Sequence, residues 1–350
     1  MKLLNYLLVV LLFVSACKKD EKVVAPVLPA DYGSGMYIVT ENGISFYDGE
    51  VVEDQIYKKV NGSSIINPKS IRINGNKGYI VGNKLYVVDI NTFGLEAEIS
   101  GFNNAIQCDI VSDNRALVLD KGESLVKVVD LDNLNITSKI ETGDSTKPVF
   151  IISNSSTSFV LNGGGGPENK KDSTILVIKY RDGLVPLAEI SKILILGDNP
   201  NSAVINDHLK VLCKGVYNSD DLINNTEASL HVVNQYSYEV YSPNTLSGIY
   251  NAQNLIENWN SSIYYFTAIG GIYSVNPSTY NTSLVLNVNS DAIKAVVESY
   301  ADSDTTVAYS QMLYMNDLDN PGNIYKYDLA ISIFSDTIVV DGAIKDIAFY

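Results

Sequence analysis

Few residue types in this chain could perform chemistry by themselves. The sequence has only two histidines, His208 and His231, so a histidine-based metal or catalytic centre is hard to build. Aspartates and glutamates are plentiful, but no local motif singles out a pair for general acid–base catalysis. No nucleophile, base and acid form a recognisable set. We therefore predict a binding protein rather than an enzyme, with no catalytic residue, no metal and no cofactor.

The N-terminal cysteine is the exception, because its sequence context indicates a modification. Leu3 to Val14 is almost wholly apolar and too short to span a membrane, and Ser15, Ala16 and Cys17 follow it. This arrangement resembles the lipobox of bacterial lipoproteins, which implies acylation of Cys17. The alternative is an ordinary signal peptide followed by a chance cysteine. We expect a signal peptide over residues 1–16, a lipidated cysteine and flexible tether over 17–32, and a folded domain over 33–350.

The charge pattern indicates a cellular location and argues against nucleic acid and anionic lipid as partners. Lys18 to Lys22 is a charged patch that resembles the tag sending lipoproteins to the outer face of the outer membrane, although a solvated tether would look the same. The net charge of −15 argues against nucleic acid and against adhesion to anionic lipid. Cys108 and Cys213 remain after Cys17, and we expect buried free thiols in non-adjacent repeats.

A repeat of about 45 residues predicts the fold. Each unit contains four short strands separated by turn residues, and the third strand often ends at an acidic or polar residue. First strands of the unit are predicted to begin near Ser70, Ala105, Val149, Ser202, Asn254, Ala292 and Ala343.

The two ends of the repeat region are complementary. The first unit opens at a second strand, Met36, and the chain ends in a lone first strand, Ala343–Tyr350. We therefore predict an all-β, seven-bladed β-propeller whose first blade is closed by the C-terminal strand. A pair of β-sandwiches is the main rival, but it does not explain the split blade.

Loop length predicts which face of the propeller is functional. Loops that join second to third strands share a face with those that join fourth strands to the next blade. Three of the former are long, Asn162–Asp172, Lys214–Glu227 and Ser310–Gly322, although tolerated insertion would explain any one of them. The glycines after Asn162 lack phosphate-loop spacing, and acidic residues such as Asp220 and Asp317 lack EF-hand spacing, so solvated loops are favoured over calcium sites.

Amide and aromatic side chains near this face are the predicted ligand contacts. Amides hydrogen-bond neutral polar ligands, and tyrosine rings stack on flat ones, although both also occur in ordinary turns and packing. The candidate ligand-binding residues are Asn103, Asn104, Asn201, Tyr217, Gln253, Asn289 and Tyr314.

Two segments resemble a domain of surface lipoproteins from Bacteroides-type bacteria. Asp198–Val204 followed by Leu209–Tyr217 is similar to its "NPNS … WVLC-GGY" stretch, and Met315–Asp328 is similar to its closing "D…PG-VYRY" element. The whole repeat region, from about Asn67 onward, resembles YVTN-type repeats. The chain departs from the family pattern at Lys210, where the family has tryptophan, and at Val216, where it has glycine.

The best-understood relatives in this resemblance are the BtuG-like lipoproteins. They capture cobalamin at the cell surface and pass it to a TonB-dependent outer-membrane transporter, and related propellers take up siderophores. The resemblance therefore implies surface capture of a small nutrient, with cobalamin or another corrinoid favoured. A protein-interaction scaffold in an envelope or glycan-uptake complex is the second hypothesis, and a propeller enzyme such as a lyase or lactonase is the third.

Overall fold

Twenty-eight strands form seven four-stranded antiparallel sheets in a computed structural model, which describes residues 31–143, 148–154, 156–163, 172–181, 187–241, 243–258, 260–301 and 307–350. Cys17, Lys18–Lys22 and most of the expected tether lie outside the described residues. Tyr32, at the expected end of the tether, is already part of the folded domain, because its ring packs edge-on against Phe46 and Phe93.

The first three blades are regular apart from one short helix. Blade one contains β28 (Ile344–Phe349), β1 (Met36–Thr40), β2 (Gly43–Tyr47) and β3 (Val52–Glu53), followed by helix α1 (Ile56–Asn61). Blade two contains β4 (Ser70–Asn74), β5 (Lys77–Val81), β6 (Leu85–Asp89) and β7 (Leu95–Ile99). Blade three contains β8 (Ala105–Ser112), β9 (Arg115–Asp120), β10 (Leu125–Asp130) and β11 (Asn135–Glu141).

The other four blades have the same strand order. Blade four contains β12 (Phe150–Ser153), β13 (Thr157–Asn162), β14 (Thr174–Arg181) and β15 (Leu187–Ile195). Blade five contains β16 (Pro200–Ile205), β17 (Leu209–Cys213), a 3₁₀ turn (Leu222–Asn224), β18 (Ser229–Val233) and β19 (Asn244–Thr245). Blade six contains β20 (Gln253–Glu257), β21 (Tyr264–Ala268), β22 (Gly271–Val275) and β23 (Thr282–Leu286). Blade seven contains β24 (Ser290–Ala301), β25 (Val307–Asp317), β26 (Asn323–Asp328) and β27 (Ile333–Val339).

The ring closes as the sequence predicted. The C-terminal strand β28 pairs antiparallel with β1, and Met36 lies opposite Phe349 in that pairing. Backbone hydrogen bonds between Gly35 and Tyr350 extend the pairing beyond the strands, with N–O distances of 3.2 and 3.1 Å. The two ends of the described chain are thus hydrogen-bonded within one sheet, which leaves no unpaired edge at the closure.

Hydrophobic cores lie between neighbouring blades rather than within them. The middle strands, such as β9 and β17, are buried along their whole length because another blade covers each face of the sheet. Separate apolar clusters join blades two and three, three and four, four and five, five and six, six and seven, and seven and one. Blades one and two share an aromatic cluster centred on Tyr37, Tyr57 and Phe93.

The polar residue that ends a third strand, or directly follows it, has a defined role in six blades. Its side-chain oxygen accepts the backbone N–H groups of the residues two and three positions further on, which forms an Asx turn before the outer strand. These residues are Asp48, Asp89, Asp130, Asn234, Asn276 and Asp328. The sequence signal that marked the repeat is therefore a turn-capping signal.

Candidate functional site

The antiparallel strand order assigns every loop to one of two faces. Loops joining second to third strands, and fourth strands to the next blade, form what we call the upper face; the remaining loops form the lower face. The long loop Lys214–Glu227 lies on the upper face as predicted. Residues 164–171 of the predicted loop Asn162–Asp172 lie outside the described residues.

The prediction of a third long loop, Ser310–Gly322, is wrong. The prediction that Tyr314 is a ligand contact on this face is wrong for the same reason. Strand β25 continues to Asp317, so only residues 318–322 connect it to β26. Tyr314 lies in that strand with 3 % of its surface exposed, and its ring packs edge-on against Phe349 at 5.3 Å between centroids. Because β25 is a middle strand covered on both faces, Tyr314 belongs to the core between blades seven and one rather than to a ligand site.

Asn103 and Asn104 are exposed side chains on a rigid backbone. Their backbone N–H groups both donate to the carboxylate of Asp120, at 2.8 Å each. Asp120 is fully buried and is paired with the buried Lys127, whose Nζ lies 2.6 Å from Oδ2. Lys127 also donates to the Gly101 carbonyl and to Glu123. The amides are thus free to contact a ligand from blade three, and their loop is held by a buried ion pair.

Burial and charge pull the pKa of Asp120 in opposite directions. Burial acts to raise this pKa, whereas the hydrogen bond from Lys127 and the two backbone donors lower it, and the lowering prevails. The carboxylate is therefore charged at neutral pH and can hold the loop. Because Asp120 has no exposed surface, it acts on the site through the backbone of its neighbours.

Asn201 and Gln253 are half-buried and hydrogen-bonded across blade boundaries. The Asn201 amide donates to the Ala252 carbonyl at 3.0 Å and links blade five to the start of blade six. The Gln253 amide donates to Oδ1 of Asp291 at 3.0 Å and links blade six to blade seven. Asn201 therefore joins two blades, while Gln253 also lines an open cleft.

This cleft, which we call the upper cleft, lies between blades six and seven and has a volume of about 350 Å³. Gln253 and Asn289 contribute amides, and the Asn289 amide donates to Asp319 at 2.8 Å. Ile269 and Leu318 contribute exposed apolar side chains from the turns of the two blades. The upper cleft thus combines hydrogen-bonding groups with apolar walls, as small-molecule sites commonly do.

Tyr217 is exposed on the long loop of blade five, beside a second tyrosine. Its ring is 45 % exposed and lies 5.8 Å from that of Tyr250, between centroids. The loop is closed at its base by backbone hydrogen bonds between Val216 and Thr226, whose hydroxyl donates to Asp198 at 2.8 Å. The pair therefore offers aromatic surface on the upper face from a braced loop.

The structure brings together only part of the predicted set. Gln253 and Asn289 line one cleft, Asn201 and Tyr217 belong to blade five, and Asn103 and Asn104 belong to blade three. Three further upper-face residues, Tyr250, Ile269 and Asp291, were not predicted from the sequence, and Leu318 and Asp319 were predicted to lie on this face but not as ligand contacts. The signal available for Tyr250 and Ile269 was their position in connections of blades five and six, whereas Asp291 lies in the first strand of blade seven.

Charged residues of the innermost strands form a second feature that the sequence did not indicate. Nη1 of Arg72 lies 4.0 Å from Oδ2 of Asp346, and the charges of Arg72 and Lys294 both act on Asp346. Burial raises the pKa of Asp346 and of the neighbouring Asp109, and burial lowers the pKa of Lys294. Blades one, two, three and seven thus place mixed charges around the ring axis.

Cys108, Cys213 and His231 are all buried. Cys108 and Cys213 are buried free thiols in blades three and five, which confirms the prediction, and burial raises the pKa of each to about 12. His231 accepts a hydrogen bond from the Gly197 backbone, and burial lowers its pKa to about 4.

Within the described residues, no cluster of three or more His, Cys, Asp or Glu is arranged to hold a metal ion. No helix in that same part of the chain is long and apolar enough to cross a membrane.

Comparison with known structures agrees with the architecture: the chain is a seven-bladed β-propeller. It is similar to a quinonprotein alcohol dehydrogenase-like protein from Bacteroides thetaiotaomicron, with 13% identity, a TM-score of 0.64, and coverage of 91% of this chain and 79% of the other. A hydrazine synthase chain from Kuenenia stuttgartiensis has 13% identity and a TM-score of 0.61 over 86% and 92% of the two chains.

A third similar structure is BamB from Moraxella catarrhalis, with 12% identity and a TM-score of 0.50 over 90% of this chain and 88% of that one. No family model matches the chain, and a search of curated proteins found no match. At these identities the similarity establishes the fold alone.

Proposed function

We propose that this protein captures a small nutrient on its upper face, with cobalamin or another corrinoid as the favoured ligand. The supporting observation is the upper cleft, where the amides of Gln253 and Asn289 lie beside the apolar Ile269 and Leu318. A corrinoid carries amide side chains around a broad apolar macrocycle, so it requires both kinds of contact. A cleft of about 350 Å³ would receive one edge of so large a molecule, with the rest lying over the open face.

In this proposal the chain is lipid-anchored at Cys17 in the outer membrane and exposed at the cell surface. It would pass its ligand to a TonB-dependent transporter, as the resemblance implies. Labelling of cells with a palmitate analogue tests the anchor, because a Cys17→Ser variant should lose the label. A transporter gene beside this one would support delivery.

Calorimetric titration of the full-length protein in detergent with cyanocobalamin, haem and ferric siderophores tests the ligand. We expect cyanocobalamin to bind and the double variant Gln253→Ala/Asn289→Ala to bind at least tenfold more weakly. An Asn133→Ala variant, on an exposed lower-face turn of blade three, provides a control for loss of a surface amide. Absence of binding to every member of the panel would refute nutrient capture as proposed.

A protein-interaction scaffold is the second candidate, and a different observation favours it. Leu222 and Ile223 protrude from the upper-face loop of blade five, with Ile223 95 % exposed. Exposed apolar groups of this kind are common at protein interfaces. Stable co-purification of an envelope protein that is lost in a Leu222→Ser/Ile223→Ser variant would support this function, and unchanged co-purification would argue against it.

The charged residues around the ring axis keep the enzyme hypothesis testable. A propeller lyase or lactonase would need such acidic and basic groups, and Asp109 and Lys294 supply one of each. Activity on lactones or uronate-containing polysaccharides that disappears in Asp109→Asn would support an enzyme. No turnover of either class would leave binding as the function.

A further inference from the structure

A second cavity lies on the lower face, between blades five and six, away from the residues used in the proposed function. Its volume is about 460 Å³, larger than that of the upper cleft. We call it the lower groove and define it by Asn206, Asp207, Lys210, Tyr241 and Tyr280. The first three residues belong to the first hairpin of blade five, and the two tyrosines follow third strands of blades five and six. Its size suits a ligand of one or two sugar-sized rings.

Two tyrosines from different blades border the lower groove. Tyr241 follows β18 and is 39 % exposed, and the His208 ring lies 5.6 Å from it. Tyr280 lies on the turn between β22 and β23, which Asn276 caps, and it packs partly against the core of blades five and six. Tyrosine faces of this kind attract the C–H groups of a ligand, because the ring face carries partial negative charge.

The polar part of the lower groove contains both donors and acceptors. Lys210, with 8 % of its side chain exposed, donates to Asp207 and to the Asn206 side chain. The Asn206 amide in turn donates to the Tyr264 hydroxyl at 2.9 Å and to Glu257 at 3.1 Å. Asp207 remains 72 % exposed, so its carboxylate can accept further hydrogen bonds at the rim.

The hairpin that carries these groups is held in place before any ligand binds. The buried amide of Gln235 donates to the carbonyls of Asn206 and Asp207, at 2.9 and 3.0 Å. Burial acts to raise the pKa of Asp207, but Lys210 and hydrogen bonds from His208 together lower that pKa, so the carboxylate stays charged at neutral pH. A site fixed in this way loses little conformational entropy when it binds a ligand.

The combination of charges selects the ligand class. Asp207 and Glu257 disfavour an anion, and Lys210, which is paired with Asp207, offsets one of the two negative charges and so weakens the attraction for a cation. A sugar hydroxyl both donates and accepts hydrogen bonds, so it matches a mixed set of a carboxylate, an amide and an ammonium. A pyranose also presents C–H groups to a tyrosine face, as described above. We propose that the lower groove binds a neutral pyranose unit of a saccharide.

Saturation-transfer NMR on the full-length protein in detergent tests this proposal. The probes are the methyl glycosides of glucose, galactose, mannose and N-acetylglucosamine, the disaccharides cellobiose and maltose, and adenine as a sugar-free aromatic ligand. We expect saturation transfer to at least one saccharide, strongest at its ring C–H protons. Tyr241→Ala and Asp207→Ala should each weaken its binding at least fivefold.

Matched controls separate this site from other surfaces. Tyr236→Ala removes a 75 % exposed tyrosine from the same blade and the same face, outside the lower groove, and should leave binding unchanged. Gln253→Ala in the upper cleft should also leave it unchanged, so this test does not depend on the corrinoid titration. Binding of adenine alone, of no saccharide, or of a saccharide equally by Tyr241→Ala and wild type would overturn the proposal.

Discussion

Replacement of Lys127 by methionine tests how the buried ion pair supports the upper face. Asp120 and Lys127 have 0 and 1 % of their side chains exposed, and their charged atoms lie 2.6 Å apart. Methionine keeps most of the apolar stem but removes the ammonium, which leaves the carboxylate buried without its counter-charge. Loss of one partner from a buried pair costs about 3–5 kcal/mol. The two backbone N–H donors of Asn103 and Asn104 remain, so we expect a loss near the lower end, about 3 kcal/mol.

Urea unfolding at neutral pH, followed by circular dichroism and fluorescence, measures the free energy of unfolding of both proteins. Lys77→Met is the control, because Lys77 and Glu96 form an exposed pair with 44 and 39 % of their side chains accessible. An exposed pair contributes about 0–1 kcal/mol, so this variant should be nearly as stable as the wild type. A loss below about 1 kcal/mol in Lys127→Met would refute the reasoning, because it would show that water reaches Asp120.

The pH dependence gives an independent check on the same pair. The folded-state pKa of Asp120 is lowered, so its contribution is present above the unfolded pKa and is lost as pH falls through the folded value. Without Lys127, burial would instead raise that pKa. Protonation of Asp120 in acid would then remove the unpaired buried charge and its cost to the stability of the variant. The stability difference between the two proteins should therefore shrink as pH falls towards 4.

Three further predictions concern buried groups. Because burial lowers the pKa of His231 from 6.5 to about 4, the contribution of its neutral form is present above pH 6.5. That contribution is lost as pH falls towards 4. Paired urea titrations should show the free energy of unfolding of the wild type falling by about 3 kcal/mol relative to that of a His231→Gln variant. Tyr314→Ala should lower the free energy of unfolding by about 3–5 kcal/mol while leaving ligand affinity unchanged, since Tyr314 packs between blades. Cys108 and Cys213 should resist Ellman's reagent at pH 8 until urea unfolds the chain, because burial raises their pKa values to about 12.

The blades were predictable because each repeats a local signal. Second strands at Met36 and Leu209 begin where the pattern placed them, and first strands at Ser70 and Ala105 do the same. The polar residue at the end of the third strand in six blades carries the strongest signal, because a side chain that caps its own turn needs no distant partner. Alternation of strand and turn is sufficient to count blades for the same reason.

The length of β25 was not predictable from the same signals. Ser310–Asp317 contains polar residues at both ends, and a loop is a reasonable interpretation of such a segment. The segment forms a strand because it lies in the middle of its blade. Met312 and Tyr314 pack against blade one, and Leu313 and Met315 pack against blade six. Burial on both faces is a tertiary property, and the polar ends give no sign of it.

The candidate sites depend even more on contacts between blades. Gln253 reaches Asp291, and Asn206 reaches Glu257, over separations of 38 and 51 residues. Sequence reasoning could assign residues to a face, which was sufficient to select Gln253 and Asn289. It could not show that Asn201 is engaged in joining blades or that Tyr241 and Tyr280 border one groove.

Blade six connects the two proposed sites and also separates them. Strand β20 begins at Gln253, in the upper cleft, and ends at Glu257, which accepts a hydrogen bond from Asn206 of the lower groove. Four steps along an extended strand span about 13 Å, which exceeds the range of about 7–10 Å within which substitutions usually couple. The buried side chains around β20, including Leu255 and Phe266, fill the space between the sites. Occupancy of one site should therefore leave the affinity of the other unchanged, which would allow one propeller to hold a saccharide on one face while it captures a nutrient on the other.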